Sequence, residues 1–453
     1  MDTIIPIIAF IVYFIVIILW CWKGREISEA MLVAFIVVAL FGGNKCLDLI
    51  VRGINFAAQQ DAVYAAMAFA LMAYLMDATG CIERLINMLN SVLGKFKGGA
   101  GYVSTLGSAL FGLVSGSGSG NAATVGGITI PWMKKSNWPP EAAATLVAGN
   151  AGLGISIPPS ATMFILLGMA AVKPYVDPAK FYIALLVAGM YTVVQRLLLC
   201  YWMIRKYKVT PVPKELIPPK KEAFKTGWPT LFIIISIIVP VALTTGPIAD
   251  YLTSIKPFGS TGVKALSSAI LYWIPIVASI VTIIVGWNKL PKDAKGLYKF
   301  LANATKRYYV IGATIFFAFA ASQVLTDLGL SKALMDILSG LYLPKFVWPI
   351  IVGIIIVLAA APLTSTATVT ALGAICWQLL YSAGYNPVLA AVLILLFSST
   401  EGMSPPNSAP IFIAASIADC NPVSTFKPLV FYYIPTTMLI ALLIAWGILP
   451  IPL

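Results

Sequence analysis

The chain has 453 residues, 60% of them hydrophobic and 10% charged, whereas soluble domains are about 45–50% apolar and about 25% charged. Water is the wrong solvent for it, and the 30 Lys and Arg against 17 Asp and Glu, a net charge of +13, read as orientation in a lipid bilayer rather than affinity for nucleic acid. Histidine is absent, which excludes Ser-His and Cys-His catalysis, His metal sites and His proton relays.

A spanning helix needs about 20 largely apolar residues. The run 4–22 meets that length and is followed by Lys23 and Arg25; it has neither the basic start nor the small-residue cleavage site of a signal peptide. Further spans are expected at 29–52, 61–80, 139–172, 178–204, 227–248, 267–288, 301–326, 386–416 and 428–448. Two other stretches, 101–134 and 346–380, are too long for one span each. Small polar residues sit at their middles, Ser115 to Asn121 (SGSGSGN) and Pro362 to Ala367 (PLTSTA). We read both as re-entrant hairpins that dip to mid-membrane and return to the same side. Irregular backbone at that depth survives only when buried in protein or lining a cavity.

The loop 205–226 carries Arg205, Lys206, Lys208, Lys214, Lys220, Lys221 and Lys225 against Glu215 and Glu222, so it is placed in the cytoplasm. Counting spans outward puts Lys23 and Arg25, Lys95 and Lys97, Lys134 and Lys135, and the loop 289–299 on the same face. The first hairpin then opens to the cytoplasm and the second to the outside, and both termini lie outside.

The chain also resembles itself at an offset of about 247–250 residues. Asp77 and Asp327 each precede an amphipathic stretch, 82–89 and 331–338. Lys95-Phe96 matches Lys345-Phe346, Ser115 to Ser117 falls opposite Ser365 to Ala367, and Pro158-Pro159 falls opposite Pro405-Pro406. With hairpins opening to opposite faces, the repeats are inverted in the membrane, a pattern common to secondary transporters. The expected fold is an all-α polytopic membrane protein in four parts. These are scaffold helices over 1–60, a first repeat over 61–206, a basic loop with scaffold helices over 207–300, and a second repeat over 301–453.

Paired prolines inside the spans 139–172 and 386–416 should unwind both helices, because proline removes a donor and clashes with the preceding turn. Freed carbonyls can hold a cation, and a half-helix N-terminus offers amides and a positive dipole to an anion. Glu401 lies beside the second break, within the membrane, where a carboxylate is costly and usually functional. A Na+ ligand, a proton carrier, a partner for a lysine and a neutral hydrogen-bonded acid are all open to it. Asp77 and Asp327, at span ends before amphipathic helices, read as caps rather than ion ligands.

The stretch from Phe111 to Lys135 (FGLVSGSGSGNAATVGGITIPWMKK) is similar to the first-hairpin signature of the large membrane subunit of TRAP transporters (tripartite ATP-independent periplasmic transporters). Ser-Gly-Ser followed by Asn121, with the Thr-Ile-Pro ending, resembles the TAXI-type branch. Ser365-Thr366-Ala367 resembles the second hairpin of the dicarboxylate and sialate branch, and the segments 157–160 and 404–406 resemble the family's IPPS and TPP motifs. The likeness runs from about residue 60 to 420. Thr364 stands where family members often carry an acidic residue, Glu401 where the pattern is small or apolar, and the spacing before Pro405 is a residue shorter.

The resemblance implies an elevator-type transporter of the bacterial or archaeal inner membrane, in which hairpins and broken helices carry substrate past a scaffold. It implies uptake of an organic anion coupled to Na+, with H+ the alternative ion, a periplasmic substrate-binding protein and a small four-helix membrane subunit. Carried over by motif, Ser115, Gly116 and Ser117 with Gly154, Ser156 and Pro158 frame one cation site. Thr364, Ser365 and Thr366 with Glu401, Gly402 and Ser404 frame the other. Ser119, Asn121, Ser160, Asn407 and Ser408 are candidates for the substrate.

A stand-alone Na+- or H+-coupled carboxylate carrier of similar architecture fits the chain equally, since receptor and small subunit would be separate polypeptides. An intramembrane enzyme does not fit, because no histidine activates a serine and HExxH is missing. A channel is disfavoured by broken helices in both halves, and no Walker A sequence provides for ATP. The six cysteines (Cys21, Cys46, Cys81, Cys200, Cys376, Cys420) lie far apart, mostly in apolar runs, and read as small buried hydrophobes. A reporter active only outside the cytoplasm, fused after Leu453, is expected to be active; cytoplasmic reporter activity there would sink the topology.

Overall fold

The structure, a computed structural model, describes residues 4–23, 25–115, 117–244, 247–255, 259–330, 332–333, 336, 343–361, 363–405 and 408–453. Among them there is no strand. The first eleven helices are α1 (Ile4–Trp22), α2 (Ile27–Leu40), α3 (Cys46–Ala58), α4 (Asp61–Ala78), α5 (Cys81–Leu93), α6 (Gly99–Ser115), α7 (Gly118–Lys134), α8 (Pro140–Ala151), α9 (Leu153–Ser156), α10 (Ala161–Gly168) and α11 (Pro178–Tyr207). After a basic loop come α12 (Lys220–Gly227), α13 (Leu231–Thr244), α14 (Pro247–Ser254), α15 (Gly259–Gly286) and α16 (Ala294–Asp327). The chain closes with α17 (Trp348–Ala360), α18 (Ser365–Ser382), α19 (Pro387–Ser398), α20 (Ala409–Ala418), α21 (Val423–Pro428) and α22 (Ile434–Ala445).

Among the described residues, six helices are long and apolar enough to span a membrane, or seven if a bent pair counts as one span. The other apolar segments are shorter pieces, and two expectations change accordingly. The stretch 29–52 is not one span: α2 ends at Leu40, a turn through Gly43 (φ 54°) follows, and α3 sets off anew. α3 is amphipathic, with Asp48 and Arg52 paired at 3.0 Å on its exposed side. Nor does Asp77 take the N-cap position of α5, while most of the stretch 331–338 after Asp327 lies outside the described residues. Asp77 lies in the last turn of α4, and the position before α5 belongs to Gly80 at φ 67°, a conformation that side chains resist. Asp327 ends α16 and accepts from Gln323 at 2.8 Å.

Burial separates inner from outer helices. In the segment Pro140–Gly168, 94% of the most apolar window is buried, against 28% in Tyr272–Lys289. A helix apolar all round belongs inside, and α8 and α19 are buried along almost their whole lengths. The outer helices turn apolar side chains outward at helical spacing, as Ile4, Ile8, Ile11, Ile15 and Leu19 do on α1, and Ile276, Ile280 and Ile284 on α15. Such exposed stripes suit acyl chains. α6 packs on α7 and α17 on α18 as helical hairpins; α6 ends at Ser115 and α7 starts at Gly118, α17 ends at Ala360 and α18 starts at Ser365. α16 is shared: it packs on α2, α3 and α4, and also touches α10.

At the centre, the interruption after α8 lies against the interruption after α19. Glycine makes this possible. A Cβ on Gly152 would collide with the carbonyl oxygen of Ser399, and one on Gly402 would lie 2.7 Å from the carbonyl oxygen of Ala148. The two irregular backbones therefore touch directly. Gly152→Ala is expected to lower stability by roughly 1–3 kcal/mol through overpacking, measured by unfolding in detergent. Gly127→Ala, where a Cβ meets nothing within 4 Å, serves as the control and should not destabilise.

Candidate functional site

The first interruption starts where α9 ends. Ile157 is extended (φ −110°, ψ 121°), Pro158 and Pro159 cannot donate, and the helix restarts at Ala161. Ser160 is the N-cap of α10: its hydroxyl oxygen accepts from the N–H of Met163 at 3.2 Å, and it also pairs with Thr162 at 3.0 Å. The side chains of the break turn toward neighbours. Ser156 bonds Thr192 of α11 at 3.2 Å, and the Pro158 carbonyl accepts from the Tyr182 hydroxyl at 3.4 Å. The second interruption runs through a 3-10 turn, Ser399–Met403, to an extended Ser404, and the helix resumes at Ala409. The Ser404 hydroxyl donates to the Thr400 carbonyl at 2.8 Å.

The hairpin turns arrive at the same place. Ser117 caps α7 by accepting from the Gly120 N–H at 3.1 Å, and Thr364 caps α18 by accepting from the Ala367 N–H at 3.2 Å. Between the turns lies a cavity of about 210 Å³. Ser117, Gly118 and Ser119 line it from the first hairpin and Thr364, Ser365 and Thr366 from the second. Glu401 lines it from the second break, Ala161 from the start of α10, and Ile27 with Val310, Ile311, Thr314 and Ile315 form the remaining wall. Three helices, α7, α10 and α18, thus begin at the cavity. Their first N–H groups have no helical acceptor and their dipoles point positive end inward.

Glu401 is almost fully enclosed, at 4% exposed. Its carboxyl accepts from both the hydroxyl and the backbone N–H of Ser365. A Cβ on Gly118 would sit 3.7 Å from its Oε2, so the carboxyl bridges the two hairpin turns. Among the described residues of the lining it is the only ionisable side chain.

The structure therefore brings Ser117, Ser119, Thr364, Ser365, Thr366 and Glu401 together, and packs Gly154 behind them. A Cβ on Gly154 would lie 3.1 Å from the Ser117 carbonyl oxygen. Gly402 and Ser404 are not on the lining, nor are Asn121, Ser160 and Ser408. Asn121 is a strut within the first hairpin, its side-chain amide donating to the Ser108 carbonyl at 2.9 Å. Ser408 is buried and its hydroxyl has no partner among the described residues. Gly116 and Asn407 lie outside the described residues, as does the side chain of Ser115, whose backbone ends α6. The wall from α16 was not marked by any sequence motif; its four residues look like ordinary span.

A family model described as the tripartite ATP-independent periplasmic transporter, DctM component, matches residues 7–448. The sialic acid TRAP transporter large permease protein SiaM of Vibrio cholerae is 22% identical over 378 residues, 81% of this chain and 82% of that protein. The C4-dicarboxylate TRAP transporter large permease protein DctM of Pseudomonas aeruginosa is 24% identical over 350 residues, 77% of this chain and 76% of that protein. The isethionate TRAP transporter permease protein DctMQ of Oleidesulfovibrio alaskensis is 20% identical, covering 88% of this chain and 59% of its own length. Among solved structures, the YdaH transporter of Alcanivorax borkumensis has the same fold, with a TM-score of 0.62 over 90% of this chain and 89% of that one at 13% identity.

Because Ser160 serves α10 rather than the cavity, Ser160→Ala is expected to cost about 1 kcal/mol of stability, the usual loss of an N-cap. Denaturant unfolding of the purified variant measures it; an unchanged midpoint would contradict the capping role.

Proposed function

The chain belongs to the DctM-component family of TRAP transporters, a multi-pass protein of the inner membrane and a transporter subunit rather than an enzyme, and on that premise we propose its cargo, coupling and movement. The cargo is an organic anion, as the names of its relatives carry sialic acid, C4-dicarboxylate and isethionate. The observation that supports this for the present chain is the convergence of three helix starts on one cavity. Helix-start amides and positive dipole ends suit a carboxylate or sulfonate, and among the described residues of the lining there is no lysine or arginine.

Coupling is to Na+. The hydroxyls of Ser117 and Thr364 to Thr366 and the carboxyl of Glu401 are hard oxygen donors of the kind that suit a hard cation. A cation beside Glu401 would also offset the charge of a carboxylate held away from water. Residues 61–206 and 301–453 act as inverted repeats whose hairpins and broken helices move together, elevator fashion, against the rest. A periplasmic binding protein delivers the anion, and a small membrane subunit accompanies this one; the name DctMQ of one relative is consistent with the latter.

In proteoliposomes containing this chain, its small subunit and its receptor, uptake of the anion that co-purifies with the receptor is expected only when receptor and Na+ are both present. Replacing Na+ by choline should reduce uptake to the level of empty vesicles. Uptake by this chain alone would favour a stand-alone carrier, and uptake unchanged in choline would remove Na+ from the mechanism.

A further inference from the structure

Arg196, in the second half of α11, is 1% exposed. Among the described residues no carboxylate accompanies it. Its Nε donates to the carbonyl of Gly149 at 2.9 Å. One terminal nitrogen donates to the Thr437 hydroxyl at 2.8 Å and to the side chain of Gln195, and the other reaches Sδ of Met403 at 3.7 Å. The guanidinium carbon stands 5.3 Å from the ring centre of Tyr433.

A buried guanidinium without a counter-ion is costly, so what it touches matters. Gly149 lies in the last turn of α8, where carbonyls have no helical donor and a positive charge is favourable. Met403 is the last residue of the 3-10 turn at the second break. One side chain therefore reaches the end of the helix before the first interruption and the 3-10 turn within the second. The absence of a side chain on Gly149 is part of the arrangement, because a Cβ there would collide with the Tyr433 ring. Arg196 is not in the cavity lining. The cavity nevertheless depends on what Arg196 holds, since the first hairpin rests on Gly154 and the second meets Glu401.

We propose that Arg196 is the positioning residue of the cavity: from outside it, the guanidinium fixes the spacing of the two helix breaks on which the hairpin turns rest. A rigid planar fork of five donors on three nitrogens can hold acceptors on different elements at fixed spacing, which an ammonium with three donors on one nitrogen does not reproduce. That the breaks frame a transport site rests on the permease reading; the fixing itself can be measured without transport.

The test is hydrogen exchange of the full chain in lipid nanodiscs, read at the two breaks and at remote helices. In Arg196→Gln, amides over 150–157 and 399–404 are expected to exchange roughly ten- to a hundredfold faster, the effect of losing charge-assisted bonds on local opening. Exchange in Leu231–Thr244 and Gly259–Gly286 should not change. Arg196→Lys should fall between the two, and it alone decides the matter should the Gln variant fail to fold. Unchanged exchange at the breaks, loosening of only one break, or a uniform rise along the chain would each overturn the proposal. In the unsubstituted protein, absent receptor-dependent uptake despite protected amides at both breaks would count against the permease reading and not against this role of Arg196.

Discussion

Everything near the cavity depends on the direct contact of two interrupted helices. A bilayer core supplies no water to satisfy free backbone groups, so a broken helix must find partners within the protein. Here the breaks lean on each other through Gly152 against Ser399 and Gly402 against Ala148. Each is then satisfied locally: Ser404 donates back to Thr400, Ser160 caps the restart of α10, and Tyr182 reaches the Pro158 carbonyl. Side chains at these glycines would separate the backbones by the width of a methyl group, and the hairpin turns resting on them would lose their common floor.

Much of this was legible in the sequence. The prolines at 158–159 and 405 marked the interruptions because a missing donor and a fixed φ act locally, whatever the surroundings. The Gly/Ser run and the Thr-Ser-Thr run marked the hairpin turns for the same reason, and Ser117 and Thr364 cap the helices that follow them. The misjudged parts depend on tertiary placement. Apolar content over 29–52 fitted a span, but the turn at Gly43 needs only one residue in a left-handed conformation to redirect the chain. Asn121 and Ser160, candidates for the substrate from their place between the hairpin tips, make their hydrogen bonds within the protein. Sequence alone could not say that Asn121 would reach a carbonyl of the neighbouring α6 and that Ser160 would cap the helix it precedes. Arg196 was passed over because a single arginine in a long span carries no pattern.

The cavity holds one enclosed carboxyl among helix starts, a combination that sharpens its chemistry. Amides and dipoles favour negative charge there, and Glu401 already occupies part of that field through Ser365. The organic anion proposed as cargo would add like-charge repulsion to an ionised Glu401 in a site sheltered from water. A cation binding beside the carboxyl relieves that repulsion, so anion and cation would each promote the other. Such reciprocity is what the proposed coupling would require.

The opposite wall suits the proposed movement for a different reason. Val310, Ile311 and Ile315 of α16 are apolar, and the hydroxyl of Thr314 bonds back within its own helix to the Val310 carbonyl at 2.7 Å. The polar turns, by contrast, direct their capping bonds inward to the Gly120 and Ala367 amides. Polar groups are thus satisfied within each side, and the boundary between the sides is chiefly a contact of apolar surfaces. Dispersion contacts are individually weak and non-directional, so one apolar surface can be exchanged for the next along α16 without a buried donor being abandoned midway. A hydrogen bond across the same boundary would have to break at every step of the movement, leaving unpaired polar atoms out of reach of water.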